Sequence, residues 1–97
     1  MMSLTKREEK LIVSLQHKKF RKTEGLFIVE GLKMVEEAIA SDFTVKFVVT
    51  SIDFHAEQVE LKQCDGRTMQ RISAFKTAPG VLAVVELPSL SEGVYSP

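Results

Sequence analysis

The sequence predicts an α/β domain in which one sheet is covered by helices on both faces, and three observations lead there. Short β-rich runs such as "LFIVE" and "VLAVVE" lack polar alternation, the pattern of strands buried on both sides. They alternate along the chain with segments of helical period, an order that builds a covered sheet rather than a bundle or a sandwich. The 97 residues, 44% hydrophobic and 27% charged, suffice for one such domain and leave little room for a second.

The elements follow in order. Thr5 and Glu8 have the spacing of a capping box, so a helix starts there and carries Leu11, Ile12 and Leu15 on one face. If it ran on unbroken, Lys18 and Lys22 would extend that stripe and put ammonium groups where burial is expensive, so it ends, or overhangs the core, near His17. Leu26 to Glu30 is the first strand, flanked by Gly25 and Gly31. In "LKMVEEAIAS", Leu32, Val35 and Ile39, with Met34 and Ala38 alongside, form the apolar stripe of an amphipathic helix. "VKFVVTS" from Val45 is a second strand, and "VELKQC" alternates weakly enough to be a third, on an edge. "FHAEQ" is too short to assign. Asp65 is placed to cap a short helix with Met69 and Ile72 as i, i+3 neighbours, from which Ser73 and Phe75 depart, a strand over Thr68 to Ile72 being the alternative. "PGVLAVVELP" is a turn and a last strand, Val81 to Glu86. The tail after Pro88 has linker composition.

The neutral total charge hides an asymmetry. Residues 1–25 hold Lys6, Arg7, Lys10, Lys18, Lys19, Arg21 and Lys22 against Glu8, Glu9 and Glu24, an excess of four positive charges that the remainder cancels. Such an end attracts a polyanion. Lys18, Lys19, Arg21 and Lys22 surround Phe20, and a basic cluster holding an aromatic can grip phosphates while stacking on a base. The competing reading is a solvated helix end with Phe20 folded back onto the core. Glu30 and Gly31, at a strand end and a helix start, suit plain capping, or a polar site completed by Lys33.

Other chemistry is poorly supported. The five glycines make neither G-x-G-x-x-G nor a P-loop, so no recognised phosphate cradle exists. His17 and His55 are isolated and read as surface residues, and Met34 and Met69 read as core. The single Cys64 excludes an internal disulfide and a several-cysteine zinc site, and it reads as a core or edge thiol. The N-terminus lacks a signal peptide's apolar core, and "VLAVV" is far shorter than the roughly 20 residues that cross a bilayer. A cytoplasmic protein with no membrane partner is expected.

"KLIVSLQHKKFRKTEGLFIVEGLKMVEEAI", followed by "RISAFKTAPGVLAVVELP", resembles the N-terminal RNA substrate-binding domain of the SpoU/TrmH-type RNA ribose 2'-O-methyltransferases. The resemblance runs from about Lys10 to Pro88. One departure is that Ala78 and Pro79 precede Gly80, where the family has a proline, one further residue and then the glycine. The loop from Phe54 to Gln58 is also short for the family.

The resemblance implies a three-layer α-β-α sandwich with a mixed sheet of about four strands, like the kink-turn-binding ribosomal proteins. It implies an RNA partner, ribosomal in the first instance, held by Lys18, Lys19, Phe20, Arg21, Lys22, Glu30 and Lys33. It further implies residues 1–88 as the RNA-binding domain and residues 89–97 as a linker toward a separate catalytic domain that uses S-adenosylmethionine. That domain's asparagine-glycine-arginine and serine-leucine-asparagine motifs have no counterpart here, so no cofactor and no catalysis are expected of this chain. The parent is left open to being a homodimer. Two alternatives stand beside this: a protein-interaction or dimerisation module, and a freestanding ribosome-associated RNA binder.

Overall fold

A computed structural model describes residues 2–88, and the linker read at residues 89–97 lies outside them. The elements run β1 (Met2–Ser3), α1 (Lys6–Ser14), α2 (Lys18–Glu24), β2 (Leu26–Glu30), α3 (Leu32–Ala40), β3 (Val45–Thr50), β4 (Leu61–Gln63), α4 (Gly66–Ile72) and β5 (Val81–Glu86). The strands form one mixed sheet in the order β1-β4-β3-β5-β2. β5 is antiparallel to both its neighbours, whereas β3, β4 and β1 run parallel.

Both faces of the sheet are covered. On one, Ile12 and Leu15 of α1 and Met69 and Ile72 of α4 pack over Leu26, Phe47, Val49, Leu82 and Val84. On the other, Val35 and Ala38 of α3 and Phe54 lie over Val48, Val81, Ala83 and Val85. The alternation of β5 between these clusters explains its unbroken apolar run: Val81 through Val85 are all fully buried. Phe54 comes from a segment, residues 51–60, without helix or strand, and it seals the second face beside α3. The three-layer α/β expectation therefore holds, with five strands where about four were expected.

Several local expectations are corrected. β2 is an edge strand, paired only with β5, so beyond Leu26 its residues are half-buried rather than buried on both sides. β4 is not at the edge, because Met2 and Ser3 pair with Lys62 and Gln63. A two-residue strand leaves no periodicity to read. Leu32 and Met34, placed in the apolar stripe of α3, are each 48% exposed. The helix buries a narrower stripe, Val35 and Ala38, and Met34 lies about 100° around the axis from Val35.

The α1 break falls near where expected, with Leu15 as its C-cap, and the chain then enters a second helix before β2. Gly25 closes that helix in the left-handed conformation, φ 70°, which a glycine adopts without a side-chain clash.

Candidate nucleic-acid interface

The site begins with helix α2, whose construction is unfavourable for folding. Its N-cap, His17, makes no side-chain capping bond, and Lys18 and Lys19 occupy the first turn, where the helix dipole disfavours cations. No residue of α2 is buried. Its balance is four cations against Glu24, and among the described residues none of the four is ion-paired. Phe20 does not fold back onto the core. It is 40% exposed, met edge-on by His17 at 6.4 Å between ring centroids, with the Lys19 ammonium 5.9 Å from its ring centre.

Arg21 differs from its neighbours. It is half-buried, and its guanidinium donates to the Leu15 carbonyl at 3.0 Å, satisfying one of the free carbonyls at the end of α1. It fastens α2 to α1, which leaves Lys18, Lys19 and Lys22 as the exposed cations of the helix.

Glu30 sits at the C-terminal end of β2, but it does not cap α3, whose N-cap is Gly31 at φ 101° with no side-chain bond. Its carboxylate reaches across to the segment leaving α4. One oxygen accepts the Ser73 hydroxyl at 2.6 Å and the other accepts the Ala74 amide at 2.8 Å. Both oxygens are thus engaged within the fold, so Glu30 positions a loop. Lys33, in the first turn of α3, is exposed and also unpaired among the described residues.

These segments belong to one region. Gln16 donates to the Ile72 carbonyl at 2.5 Å, and the next residue after Ile72 is the Ser73 held by Glu30. Lys18 begins only two residues beyond Gln16, so α2 starts next to the braced end of the sheet. From there its seven residues extend about 10 Å. The start of α2, with Lys18 and Lys19, is thus tied to the loop from Ser73 to Ala78 through the Gln16–Ile72 bond, while Lys33 stands at the start of α3, which covers the other face of the sheet.

That loop was missed as a site in the sequence, although Ser73 and Phe75 were seen to leave α4. Gln70 donates to the Lys76 carbonyl at 2.9 Å and accepts the Ala78 amide at 3.0 Å, while the Ser73 hydroxyl oxygen accepts the Phe75 amide at 3.0 Å. Only the wide spacing of these polar residues, 70 and 73 against 75–78, hints at it.

Elsewhere the chemistry is structural. Lys62, 7% exposed, is held by Glu8 at 2.9 Å and Glu60 at 2.8 Å. Hydrogen bonds to Glu60 and Glu8 hold its pKa above the usual 10.5. Burial would raise the Glu8 carboxyl, but the Thr5 amide and Lys62 together hold it below the ordinary 4.5. Burial, with Asp65 and Glu9 nearby, pushes the Cys64 thiol up to about 11, so it is a poor nucleophile. Among the described residues no group of three acidic, histidine or cysteine side chains could hold a metal ion. No described helix is long and apolar enough to cross a membrane.

A sheet covered on both faces, with a cationic helix at one end that lacks a side-chain N-cap, defines a class: a small α/β domain with an exposed cationic surface. Comparison with known proteins narrows it. The MRM3-like substrate binding domain matches residues 7–83, and the chain belongs to that family. Among solved structures, a TrmH-family RNA methyltransferase protein from Porphyromonas gingivalis is similar at 27% identity, with a TM-score of 0.76 over 94% of this chain and 38% of its own.

An RNA 2'-O ribose methyltransferase shares the fold at 17% identity and a TM-score of 0.74, covering 100% of this chain and 41% of that one. So does an rRNA methyltransferase from Sinorhizobium meliloti in its AdoMet-bound form, at 24% identity and 0.71, covering 100% and 37%. No curated protein matches the chain. The chain thus spans well under half the length of these solved relatives.

Proposed function

We propose that this chain is the RNA substrate-binding part of an S-adenosylmethionine-dependent RNA 2'-O-methyltransferase acting on ribosomal RNA in the cytoplasm. The observation that carries the reading is helix α2. Three exposed lysines and a half-exposed phenylalanine stand on a helix with no fully buried residue, and two of those lysines lie in the first turn, where the dipole disfavours cations. Such an arrangement costs folding energy and is accounted for by a partner that brings negative charge. The family match and the names of the solved relatives support RNA as that partner.

S-adenosylmethionine itself does not fit the described residues. Its adenosyl group needs an enclosed, largely apolar slot with a few convergent polar groups. The clefts here are open troughs, one along Phe43, Glu86 and Leu87, one between α1 and α4, and one beside Gly25 and Lys46. In this reading the chain's role is to hold RNA, and methyl transfer is assigned to another part of such an enzyme.

The test is charge reversal at Lys18, Lys19 and Lys22, with Arg21 kept because it fastens α1. Fluorescence anisotropy with a ribosomal stem-loop RNA should show binding weakened about 100-fold or more, since three phosphate contacts become repulsive. The melting temperature should hold, because none of the three lysines is buried. Undiminished RNA affinity in that variant contradicts the proposal.

A further inference from the structure

We infer that the Ser73–Ala78 loop is a second, separate contact: a stacking platform on which Phe75 receives one unpaired RNA base while Lys76 meets its phosphate. The inference rests on the RNA-binding reading above and adds the kind of nucleotide recognised.

Phe75 is 52% exposed, the most exposed phenylalanine of the described chain. An exposed apolar residue is unremarkable on a slack loop, but this loop is anchored by side chains from three directions. Glu30 holds Ser73 and Ala74, Gln70 holds Lys76 and Ala78, and Ser73 holds the Phe75 amide. The polar groups are spent on fixing the backbone, and the ring they position is left facing outward. A ring fixed in advance loses little conformational freedom when a flat ligand covers it.

What covers it follows from the surroundings. Lys76 adjoins the ring in sequence and is exposed, and Lys33 stands three residues beyond the Glu30 that anchors the loop. Phe20 on α2 likewise has a lysine, Lys19, against its ring. An exposed phenylalanine beside a lysine thus occurs twice, as a ring contact at Phe20 and as a sequence neighbour at Phe75. Base faces stack on aromatic rings whatever the sequence, but only when the base is not already stacked within a helix. The platform consequently selects unpaired nucleotides, in a loop, bulge or single strand, whereas the lysines of α2 serve paired and unpaired RNA alike.

The experiment compares the 97-residue chain with its Phe75→Ala, Phe75→Leu and Phe75→Trp variants and with the Lys18/Lys19/Lys22 reversal. The probes are a stem-loop RNA carrying 2-aminopurine in its loop and a blunt duplex of the same stem. Phe75→Ala should weaken stem-loop binding roughly 5- to 100-fold, the range of one lost base stack. Duplex affinity should stay unchanged. Phe75→Leu should not restore binding, Phe75→Trp should, and 2-aminopurine fluorescence should be quenched by the wild type but not by Phe75→Ala.

Wild-type stem-loop affinity in Phe75→Ala, with the lysine reversal still defective, overturns the platform and leaves the RNA reading standing. If the lysine reversal also binds normally, both fail. Equal loss on stem-loop and duplex, or full rescue by leucine, overturns stacking. So does concentration-dependent self-association, seen by light scattering, that Phe75→Ala alone removes, since Phe75 would then be a protein contact.

Discussion

Helices α1 and α2 follow one another in the chain and are built on opposite principles. In α1, Thr5 and Glu8 close a capping box, Glu8 and Glu9 complement the dipole, and Ile12 is buried. α2 has no side-chain bond at its N-cap, lysines in its first turn and no fully buried residue, and only its C-terminal end, closed by Gly25, is conventionally capped. The first is explained by folding alone. The second contributes little to the core, which fits the proposed role of holding RNA, and the contrast separates the residues that hold the domain together from those left exposed.

The contrast can be broken most forcefully from the α1 side. Ile12 is fully buried, so Ile12→Ala should cost about 3 to 4 kcal/mol, enough to leave a domain of this size close to unfolded in urea titration. An equally stable Ile12→Ala variant would show that α1 is no more structural than α2. Next in size is Glu30→Ala, which frees the Ser73 hydroxyl and the Ala74 amide. A loss of about 1 to 2 kcal/mol is expected, since the acceptor is charged but only half-buried. Hydrogen exchange should show Ala74 losing protection while strand β5 keeps its own.

The smallest of these effects is that of acid. Glu8 titrates lower in the folded chain than its ordinary 4.5, and Asp65, held by the Thr68 amide, lower than 3.8. Their stabilisation is complete above those values and is lost as pH falls through the lower folded ones. The melting temperature should therefore decline below about pH 4.5. Glu8→Gln should flatten part of that decline. A pH-independent melting temperature down to pH 3 would remove the capping box from the account of α1.

Much of this was legible in the sequence, for identifiable reasons. The capping box, the α1 stripe, strands β2, β3 and β5 and the Asp65 cap each follow from local spacing, and local spacing decides them in the fold. Phe20 and its lysines were legible because they share one turn. What was not legible depends on distant parts of the chain. The carboxylate of Glu30 finds its partners 43 and 44 residues away, and Lys62 is neutralised by Glu8 across the sheet edge. Met34 read as core because the hydrophobic count of α3 exceeds what its contact with the sheet can cover. Nothing in "ISAFKTAPG" reveals that its backbone is pinned, because the pinning groups include one from β2.

The central claim, that unpaired cations at the α2 end exist to meet phosphates, is tested most directly by the salt dependence of RNA affinity. With Lys18, Lys19, Lys22 and Lys33 engaged, log affinity for loop RNA should fall against log salt with a slope of about −3, at roughly −0.7 per contact. Reversal of the three α2 lysines should reduce that slope to about −0.7, the share of the one remaining contact. A wild-type slope already near zero, or one that the reversal leaves unchanged, would contradict the account.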